Sequence, residues 1–481
     1  EEPYKLELLE DLKGKITFYQ NGTFLDLCRG PHVKNTSELK AFKLMRIAGA
    51  YWKGNSERPM LQRIYGIAFK TEQELKDHLA LLEEAEKRNH VRLGKELGLF
   101  SIHEEGPGFP FFHPKGMIVW QELMKYWKEE HNREGYHEIK TPIILNKNLW
   151  EQSGHWDHYK NNMYFTKIDE KDFAVKPMNC PGGILVYRST LHSYRELPLR
   201  LAEVGLVHRH ELSGVLNGLF RVRCFHQDDA HIYCMESQIK DEIINIMNLI
   251  DRVYKTFRLE YHVELSTRPT NSIGTDEMWE AAESALKEAL KETSTEYKLN
   301  EGDGAFYGPK IDFHIRDALG RTWQCATIQV DFAMPERFEL TYEGSDGRKH
   351  RPVMLHRVVY GAMERFLGIL IEHYAGKFPT WLSPVQVVLM TVTDRNNELA
   401  QEVFKKMKDA GIRVELDDRS ESIGKKVRDN QVRKINYMIT LGDKEQEHKT
   451  LAIRTRDGKV RFGVHIHEFL EEITKEIRER S

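Results

Sequence analysis

The 481-residue sequence predicts an α+β protein that ends in a smaller α/β domain. Two strand-like runs, KIDFHIRD and TWQCATIQVDF, are joined by the short turn ALGR, which is typical of a hairpin. Long segments with helical apolar spacing, such as DEIINIMNLIDRVYKTFRL and GTDEMWEAAESALKEALKE, indicate helices. The last 98 residues begin with the run VQVVLMTVT and then alternate helices with strands, which predicts a largely parallel sheet.

The N-terminal third of the sequence is predicted to contain strands, helices and a loop at a domain boundary. Residues 1–70 mix short apolar runs with turns and are predicted as strands with connecting loops. The charged segment 71–97 is predicted as a solvated connecting helix. The Gly- and Pro-rich stretch 104–116 indicates a loop and a domain boundary. An amphipathic helix, MIVWQELMKYWKEEHNREG, then ends at Gly135 and precedes the strand YHEIKTPIIL.

The central region continues with both element types. Residues 172–234 are predicted as short strands separated by turns. The segment RVVYGAMERFLGILIEHYAG is predicted as an apolar-rich helix. The segment FPTWLSP, residues 378–384, is predicted as a linker to the last domain.

The composition excludes several classes of protein. The net charge is −3 and the pI is about 6.8, so any contact with nucleic acid must come from local basic patches. Five irregularly spaced cysteines argue against a disulfide framework and favour reduced thiols. The sequence has neither a run near the roughly 18 apolar residues that span a membrane nor an apolar signal core. We expect a cytoplasmic protein, and an organelle stays open because a removed transit segment leaves no trace.

Three residues form a candidate metal site. Cys180 in KPMNCPGG, His231 in FHQDDAHIYC and His356 in MLHRVVYG are separated by 51 and 125 residues, so they lack the local spacing of zinc fingers. By spacing alone, each histidine fits a buried core position better than a metal ligand. Three protein ligands would leave one coordination position open, as in a catalytic zinc site.

The segment HRHELSGVLNGLFRVRCF is predicted as two strands around a Gly/Ser/Asn loop. Arg209 and Glu211 open the first strand, and the second strand carries Arg221, Arg223 and Phe225. An arginine can bind a phosphate through two charge-assisted hydrogen bonds, and an aromatic ring can stack on a base. An ordinary charged hairpin is the alternative interpretation.

Two further segments carry candidate contact residues. In GAMERFLGIL, Gly361 permits close approach on a helix and Arg365 presents a cation one turn later, with a core helix as the alternative. In GDGAFYGPKIDF, Tyr307 and Lys310 lie on a turn that enters a strand. This segment has neither the G-x-G-x-x-G spacing nor the Walker lysine of nucleotide loops, so we interpret the two residues as substrate contacts.

In this order, the segments resemble the three motifs of class II aminoacyl-tRNA synthetases. KTPIIL, with Pro142, is similar to motif 1, which is the dimer element of the family. HRHELSG together with LFRVRCF is similar to motif 2, and GAMERFLG is similar to motif 3. The segments LCRGPHV, AGAYWKG, MLQRIYG, MNCPG, QDDAH, GAFYGPKIDF and FPTWLSPVQV are particular to the threonyl-tRNA synthetases. The resemblance covers essentially the whole chain. It implies a class II catalytic domain built on an antiparallel sheet, a C-terminal α/β anticodon-binding domain and a homodimer.

The resemblance also implies a division of the chain into four parts. These are a remnant of an editing domain at residues 1–70 and a linker helix at residues 71–103. The class II catalytic domain follows at residues 104–383, and the anticodon-binding domain at residues 384–481. Cys28 and His32 in LCRGPH match the editing site of the family, and no H-x-x-x-H pair precedes them. A truncated form or a shortened paralogue, without post-transfer removal of serine, is therefore expected.

The implied activity is the ligation of threonine to tRNA. L-Threonine and ATP, with Mg²⁺ bridging the phosphates, would give threonyl-adenylate, which the terminal ribose hydroxyl of tRNA(Thr) attacks. Zinc on Cys180, His231 and His356 would take the amino and hydroxyl groups of threonine as ligands. Valine lacks the hydroxyl, whereas serine differs by one methyl group worth about 1–3 kcal/mol.

The resemblance assigns residues to each substrate. Arg209 would bind the α-phosphate and Arg365 the γ-phosphate, where charge develops during adenylate formation. Lys310 and His155 complete the catalytic set, His155 by helping to deprotonate the tRNA hydroxyl, with a plain loop histidine as the alternative. The remaining ATP-binding residues would be Glu211, Phe225, Gln324 and Thr327. The threonine-binding residues would be Met178, Gln227, Asp229, Tyr307 and Gln329.

The C-terminal domain carries the implied anticodon contacts. Glu445 in LGDKE and Arg454 in LAIRT match residues that hydrogen-bond to splayed bases. A basic set is interpreted either as a phosphate contact or as a solvated helix face, and comprises Lys425, Lys426, Arg428, Arg433 and Lys434. Three positions depart from the usual family pattern and bear on pocket shape, namely Gly183, His210 and Ala326.

Three other functions are weighed against this one. A non-catalytic RNA-binding paralogue would have lost Arg209, Arg365 or a zinc ligand, and all are present. A synthetase retuned to another amino acid would differ around Ala326. A zinc hydrolase also fits three ligands with an open site, and it would release a hydrolysed product.

Overall fold

The computed structural model describes residues 2–55, 57–317 and 320–481. The chain divides into two compact units, one that ends at Glu86 and one that runs from Lys87 to Ser481. Within the described residues, none of the helices combines the length and the apolar content that crossing a bilayer requires. The four domain boundaries predicted from the sequence stay predictions.

The first unit contains two antiparallel hairpins. Its elements are α1 (Pro3–Asp11), β1 (Phe18–Asn21), β2 (Phe24–Leu27), β3 (Ala41–Tyr51), β4 (Met60–Phe69) and most of α2 (Glu72–Arg88). β1 pairs with β2, and β3 pairs with β4 from Ala41 opposite Phe69 to Tyr51 opposite Met60. The predicted strands are therefore present. The helix α1 was not predicted, and Glu7 on it contacts Trp52, Lys53 and Arg58 beside the second hairpin.

The charged stretch 71–97 is not one solvated helix. α2 ends at Arg88, and α3 (His90–Glu96) begins after Asn89, whose side-chain oxygen accepts the N–H groups of Val91 and Arg92. His90 and Leu93 of α3 are buried. The prediction of a single connecting helix is wrong because an Asn cap starts a second helix that packs into the core.

A mixed region follows α3. It contains β5 (Phe100–Ser101), β6 (Phe111–Phe112), α4 (Pro114–Arg133), β7 (His137–Glu138), β8 (Ile144–Asn146), α5 (Lys147–Gln152), α6 (His155–Tyr159), β9 (Tyr164–Ile168), β10 (Lys171–Val175) and α7 (Cys180–Arg188). The predicted helix α4 is present and ends two residues before Gly135. The helix α7 was missed, since its first turn, CPGG, is rich in residues that usually end helices.

The central part of the second unit is organised around an eight-stranded sheet. Its later elements are β11 (Leu199–His208), β12 (Cys224–Cys234), α8 (Ile239–Thr256), β13 (Glu260–Ser266), α9 (Asp276–Glu292), β14 (Tyr297–Asn300), β15 (Lys310–Arg316), β16 (Thr322–Asp331), α10 (Ala333–Arg337), β17 (Tyr342–Glu343), β18 (Lys349–His350), β19 (Val353–Val358) and α11 (Met363–His373). The strand order is β14-β13-β15-β16-β19-β12-β11-β7, antiparallel except for the outermost pair at each edge. The predicted β15–β16 pairing is present, and Ala318 and Leu319 of its turn lie outside the described residues.

Strand alternation separates a core face from a polar face on this sheet. Ile311, Ile328 and Leu355 join the large core that includes residues of α4, α8 and α11. Their neighbours in sequence therefore project from the opposite face, because successive side chains of a strand alternate. On four adjacent strands that face carries Asp229, His231, Lys310, Asp312, Thr327, Gln329, Asp331 and His356.

The predicted apolar helix RVVYGAMERFLGILIEHYAG is shorter than expected. Its first residues belong to β19 and a turn, and α11 begins only at Met363. Gly361 lies before the helix with φ of +75°, and a Cβ there would lie 2.7 Å from the carbonyl oxygen of Cys325. The predicted close approach is present at this turn, and its placement on a helix is wrong.

The C-terminal domain has a mixed sheet. Its elements are β20 (Val387–Thr391), α12 (Asn397–Asp409), β21 (Val414–Asp417), α13 (Ile423–Val432), β22 (Tyr437–Leu441), α14 (Asp443–His448), β23 (Thr450–Thr455), β24 (Val460–His465) and α15 (Ile466–Glu479). β21, β20 and β22 are parallel, whereas β23 and β24 add antiparallel pairs. The sheet is therefore only half parallel. The predicted linker FPTWLSP is packed, with Phe378 and Trp381 buried.

Candidate active site and metal centre

Cys180, His231 and His356 come together on the polar face of the sheet. One ligand atom from each residue lies within 4.8 Å of the others. His231 and His356 are direct cross-strand partners in the pairing of β12 with β19, and Cys180 is the first residue of α7. Ligand atoms around a tetrahedral zinc ion lie about 3.3–3.6 Å apart, given bond lengths of about 2.0–2.3 Å. Small side-chain shifts would therefore let all three share one ion.

The surroundings of this trio suit a metal centre. Burial lowers the pKa of His231, which keeps its ring in the neutral form that binds metals. Burial raises the pKa of the Cys180 thiol, so metal binding would displace a proton there. His356 Nε2 lies 2.8 Å from Oδ2 of the buried Asp331, the kind of partner that orients metal-bound imidazoles. This donor set fits zinc.

The three candidate ligands line a cavity of about 340 Å³. Asp229 Oδ2 accepts a hydrogen bond from Asn179 Nδ2 at 2.8 Å, and burial raises the pKa of Asp229 to about 6. Tyr307 donates its hydroxyl to Gln329 Oε1 at 2.7 Å. All the residues predicted to bind threonine line this cavity, namely Met178, Gln227, Asp229, Tyr307 and Gln329.

A second cavity of about 540 Å³ adjoins the first. All the residues predicted to bind ATP line it, namely Arg209, Glu211, Phe225, Gln324, Thr327 and Arg365. Six residues line both cavities, namely Tyr159, Arg209, Gln227, Gln324, Thr327 and Val358. The two cavities therefore form one continuous site with the three candidate metal ligands at one end.

The two motif arginines are held by backbone and side-chain oxygens. Arg209 donates from Nε to the carbonyl of Pro177 and from Nη2 to Gln227 Oε1, and its guanidinium lies 5.0 Å from the ring centroid of Phe225. Arg365 donates from Nε to the carbonyl of Phe220 and from Nη1 to that of Gln324. Each arginine keeps one terminal nitrogen unbonded to the described residues. Both are thus oriented cations that retain binding capacity for an anion.

The predicted strand positions in motif 2 need correction. β11 ends at His208 and β12 begins at Cys224, so Arg209, Glu211, Arg221 and Arg223 lie in the connecting loop rather than on strands. Only Phe225 lies on a strand, where it is buried. Glu211 accepts a hydrogen bond from Arg221 Nε at 2.9 Å. Ion pairing between Arg221 and Glu211 therefore orders this loop, although the loop is not part of the strand pairing of the sheet.

Asp312 is a buried hub that the sequence analysis missed. Its Oδ1 accepts hydrogen bonds from Gln324 Nε2 at 2.6 Å and from the Thr327 hydroxyl at 2.9 Å. Its Oδ2 lies 2.8 Å from Lys310 Nζ. Lys310 itself is not among the residues that line either cavity. Asp312 could have been found from the sequence because it lies two residues after Lys310 on the same predicted strand, and such residues share a strand face.

Asp228 is a second buried carboxylate that was missed. It accepts the backbone N–H groups of Val359, Tyr360 and Gly361 at 2.8–3.2 Å. The N–H of Asp228 is in turn donated to the carbonyl of Gly361 at 3.2 Å. These bonds shape the turn that leads into α11 and therefore set where Arg365 lies. The adjacent acids in QDDAH gave no hint of which one is buried.

His155 is placed differently from its predicted role. It begins α6, so it is not a loop residue, and its side chain is 0% exposed. Its Nδ1 lies 2.8 Å from the Ser153 hydroxyl and its Nε2 lies 3.0 Å from Met178 Sδ. Burial lowers the pKa of His155 to about 3. Burial behind Met178 and the lowered pKa make this ring a weak base, and its part in deprotonating a tRNA hydroxyl stays a prediction.

The remaining predicted residues lie away from this site. Glu445 is the third residue of α14 and accepts the N–H of Gly442, while Arg454 on β23 donates to the carbonyl of Gly458. Lys426 is buried and donates to the carbonyls of Thr391 and Asp417. For this residue, both interpretations of the basic set, a phosphate contact and a solvated helix face, are therefore wrong.

The two editing-type residues lie in the first unit. Cys28 directly follows β2 and donates its backbone N–H to the carbonyl of Thr17 at 3.1 Å. The His32 ring stacks on Tyr19 of β1 with 3.6 Å between ring centroids. Both residues therefore sit beside the β1–β2 hairpin.

Three family models match the chain. Residues 164–374 match the class II tRNA synthetase core domain for G, H, P, S and T. Residues 386–476 match an anticodon binding domain. Residues 16–65 match the second additional domain of threonyl and alanyl tRNA synthetases. The first range contains all three candidate metal ligands with Arg209 and Arg365, and the second contains the mixed C-terminal sheet.

Similar proteins agree with these matches. The threonine–tRNA ligase of Carboxydothermus hydrogenoformans is 63% identical over 100% of this chain and 76% of its own length. The threonine–tRNA ligase of Clostridium tetani is 61% identical over 100% of this chain and 75% of its own length. The RNA binding domain of threonyl-tRNA synthetase from Cryptosporidium parvum Iowa II superposes with a TM-score of 0.79 at 39% identity, covering 80% of this chain and 98% of that one. The chain therefore belongs to the threonine–tRNA ligases, class II aminoacyl-tRNA synthetases that attach threonine to tRNA.

Proposed function

We propose that the chain first converts L-threonine and ATP into threonyl-adenylate and pyrophosphate. The terminal ribose hydroxyl of tRNA(Thr) then attacks the carbonyl carbon of the adenylate, which forms the threonyl ester and releases AMP. Neither step needs a covalent enzyme intermediate. The protein would act by holding the reactants in line and by stabilising the charge that develops on phosphate.

One observation carries the proposal. The cavity that contains the three candidate metal ligands and the cavity that contains Arg365 both include Arg209 in their walls. A threonine in the first cavity and an ATP in the second would therefore meet beside one guanidinium. The α-phosphate attacked by the threonine carboxylate would lie at this junction.

The arginines have distinct parts in adenylate formation. Arg209 would use its unbonded terminal nitrogen on the α-phosphate, where negative charge increases in the transition state. Arg365 lines only the second cavity and would bind the distal phosphates that leave as pyrophosphate. Phe225 would pack against the adenine and Glu211 would bond to its edge. Mg²⁺ would accompany ATP and would neutralise negative charge on its phosphates.

The metal centre would select the amino acid. Cys180, His231 and His356 would hold a zinc ion, which would act as a Lewis acid for the amino and hydroxyl groups of threonine. Asp229 would accept the hydrogen bond of that hydroxyl. Valine cannot supply this ligand, whereas serine can, so serine should be activated to some extent.

The C-terminal domain would bind the anticodon. Glu445 on α14 and Arg454 on β23 lie on neighbouring elements and would hydrogen-bond to splayed bases. The segment around Pro142 would form a homodimer contact, since β7 is an edge strand and Ile143 and Ile144 are exposed. We also propose a cytoplasmic location.

The test is threonine-dependent exchange of pyrophosphate into ATP, with valine and serine measured in parallel. Strong exchange with threonine, weak exchange with serine and none with valine are expected. Arg365→Ala should abolish exchange, whereas the matched change Arg348→Ala, at an exposed turn, should not. Failure of the unaltered chain to exchange with threonine would instead favour an RNA-binding protein without catalysis.

A further inference from the structure

A third cavity, of about 420 Å³, lies between the catalytic part and the C-terminal domain. Residues 95–99 and 113–115 line one side, and residues 383–385 and 433–435 line the other. It shares no lining residue with the threonine and ATP cavities. Its volume falls within the roughly 300–1,000 Å³ of small-molecule sites, which favour domain junctions.

Part of the wall of this junction cavity is apolar. Leu97, Pro384 and Val385 line it and are partly exposed, whereas Leu99 and Phe378, which also line it, are 0% and 1% exposed. Phe378 belongs to the connecting segment before the C-terminal domain, and Asn436 beside Ile435 donates to its carbonyl at 3.1 Å. The walls are therefore fixed by core packing and by a buried hydrogen bond. A flat apolar ligand would find a preformed surface.

The polar groups of the junction cavity are mostly cationic. Lys95, Lys115, Arg433 and Lys434 all line it. Within the described part of the chain, the side chains of the three lysines have no hydrogen bond or ion pair. Arg433 is paired with Glu415, and the one carboxylate in the lining, Glu96, lies 3.6 Å from Arg92. An excess of positive charge is thus left facing the cavity.

Lys115 is, with Lys434, one of the two partly buried lysines of this set. It is half-buried at the start of α4. Burial lowers the pKa of Lys115, and the nearby Arg433 lowers it further. An unpaired amine in such a place is stabilised by an anion that restores its lost solvation.

We propose that the junction cavity binds a small phosphorylated molecule with a planar apolar body. The phosphate would lie among Lys115, Arg433 and Lys434, and the body would pack on Leu97 and Val385. Such a ligand would contact the catalytic part and the C-terminal domain at once. It would therefore tie the two together without occupying the site of chemistry.

Pyridoxal 5′-phosphate is a suitable probe, because it combines a planar ring, a phosphate and an aldehyde. The aldehyde condenses with an unprotonated lysine amine and releases water, and borohydride reduces the imine to a stable adduct. The full chain is labelled without ATP, and the adducts are mapped by peptide mass spectrometry, which separates lysines of the junction cavity from lysines of the active site. Lys125, exposed on the same helix, is the matched internal control.

Lys115 or Lys434 is expected to be labelled at about tenfold lower concentration than Lys125, a preference of about 1.4 kcal/mol. Pyridoxamine 5′-phosphate should protect the site, pyridoxal without the phosphate should lose the preference, and Arg433→Ala should weaken it. Equal labelling of Lys115, Lys434 and Lys125, or equal labelling by pyridoxal, would overturn the proposal. Protection by tRNA alone would also overturn it, in favour of an RNA backbone contact.

Discussion

Asp331 and His356 form a buried pair in which the carboxylate Oδ2 accepts the imidazole Nε2–H at 2.8 Å. The other carboxylate oxygen accepts the N–H groups of Ala333 and Met334 at the start of α10. The helix thus fixes the carboxylate, and the carboxylate fixes the ring. This tautomer leaves Nδ1 of His356 as the nitrogen that can bind a metal.

Asp331→Asn should weaken zinc binding. The amide can still cap α10 through its oxygen, but it turns an N–H donor toward His356, which favours the tautomer with a proton on Nδ1. We expect about a 10–100-fold loss of zinc affinity, measured by competition with a chromogenic chelator. Asp241→Asn, at an exposed aspartate of α8, is the control. Equal affinities in the two variants would contradict the assigned role.

Asp228→Asn should disturb the turn before α11. The buried carboxylate accepts N–H groups from three successive residues, and the amide presents a donor to some of them. We expect a loss of about 1–3 kcal/mol in the free energy of unfolding, measured with urea. Because this turn positions Arg365, KM for ATP should rise more than KM for threonine. A variant that unfolds more easily but keeps both KM values would show that Asp228 is structural only.

Acid should weaken the first unit through Glu7. Lys53, with Trp52 and Arg58, lowers the pKa of Glu7 to about 2. A carboxyl group whose folded-state pKa is depressed stabilises the fold above its ordinary pKa, and this is lost as the pH falls toward 2. Glu7→Gln should therefore reduce amide protection in α1 at neutral pH, measured by hydrogen exchange, and match the unaltered chain near pH 2. Glu10→Gln on the same helix is the control, and a difference that persists at pH 2 would count against this contact.

The sequence alone predicted those helices and strand pairs whose pattern of apolar residues lies within one short segment. The helices α4, α8 and α9 and the pairing of β15 with β16 follow from apolar spacing and a short turn. The helix α7 was missed because CPGG contains helix breakers, although burial of Ile184 and Tyr187 outweighs their propensity. The charged stretch 71–97 was misjudged because one Asn cap divides it.

The site shows a similar limit. The trio Cys180, His231 and His356 could not be found from spacing, because it depends on strand register across 125 residues. Resemblance to a family supplied the trio. The supporting carboxylates Asp228, Asp312 and Asp331 escaped notice because their importance lies in burial and bonding, which a single sequence does not display.

The central claim is that a metal on Cys180, His231 and His356 selects threonine for activation. Its most direct test is threonine-dependent ATP–pyrophosphate exchange by protein freed of metal with a chelator and then titrated with Zn²⁺. The account predicts that exchange disappears with the metal and returns in proportion to zinc, up to one ion per chain, with valine inactive throughout. Full threonine-dependent exchange by the metal-free protein would contradict it.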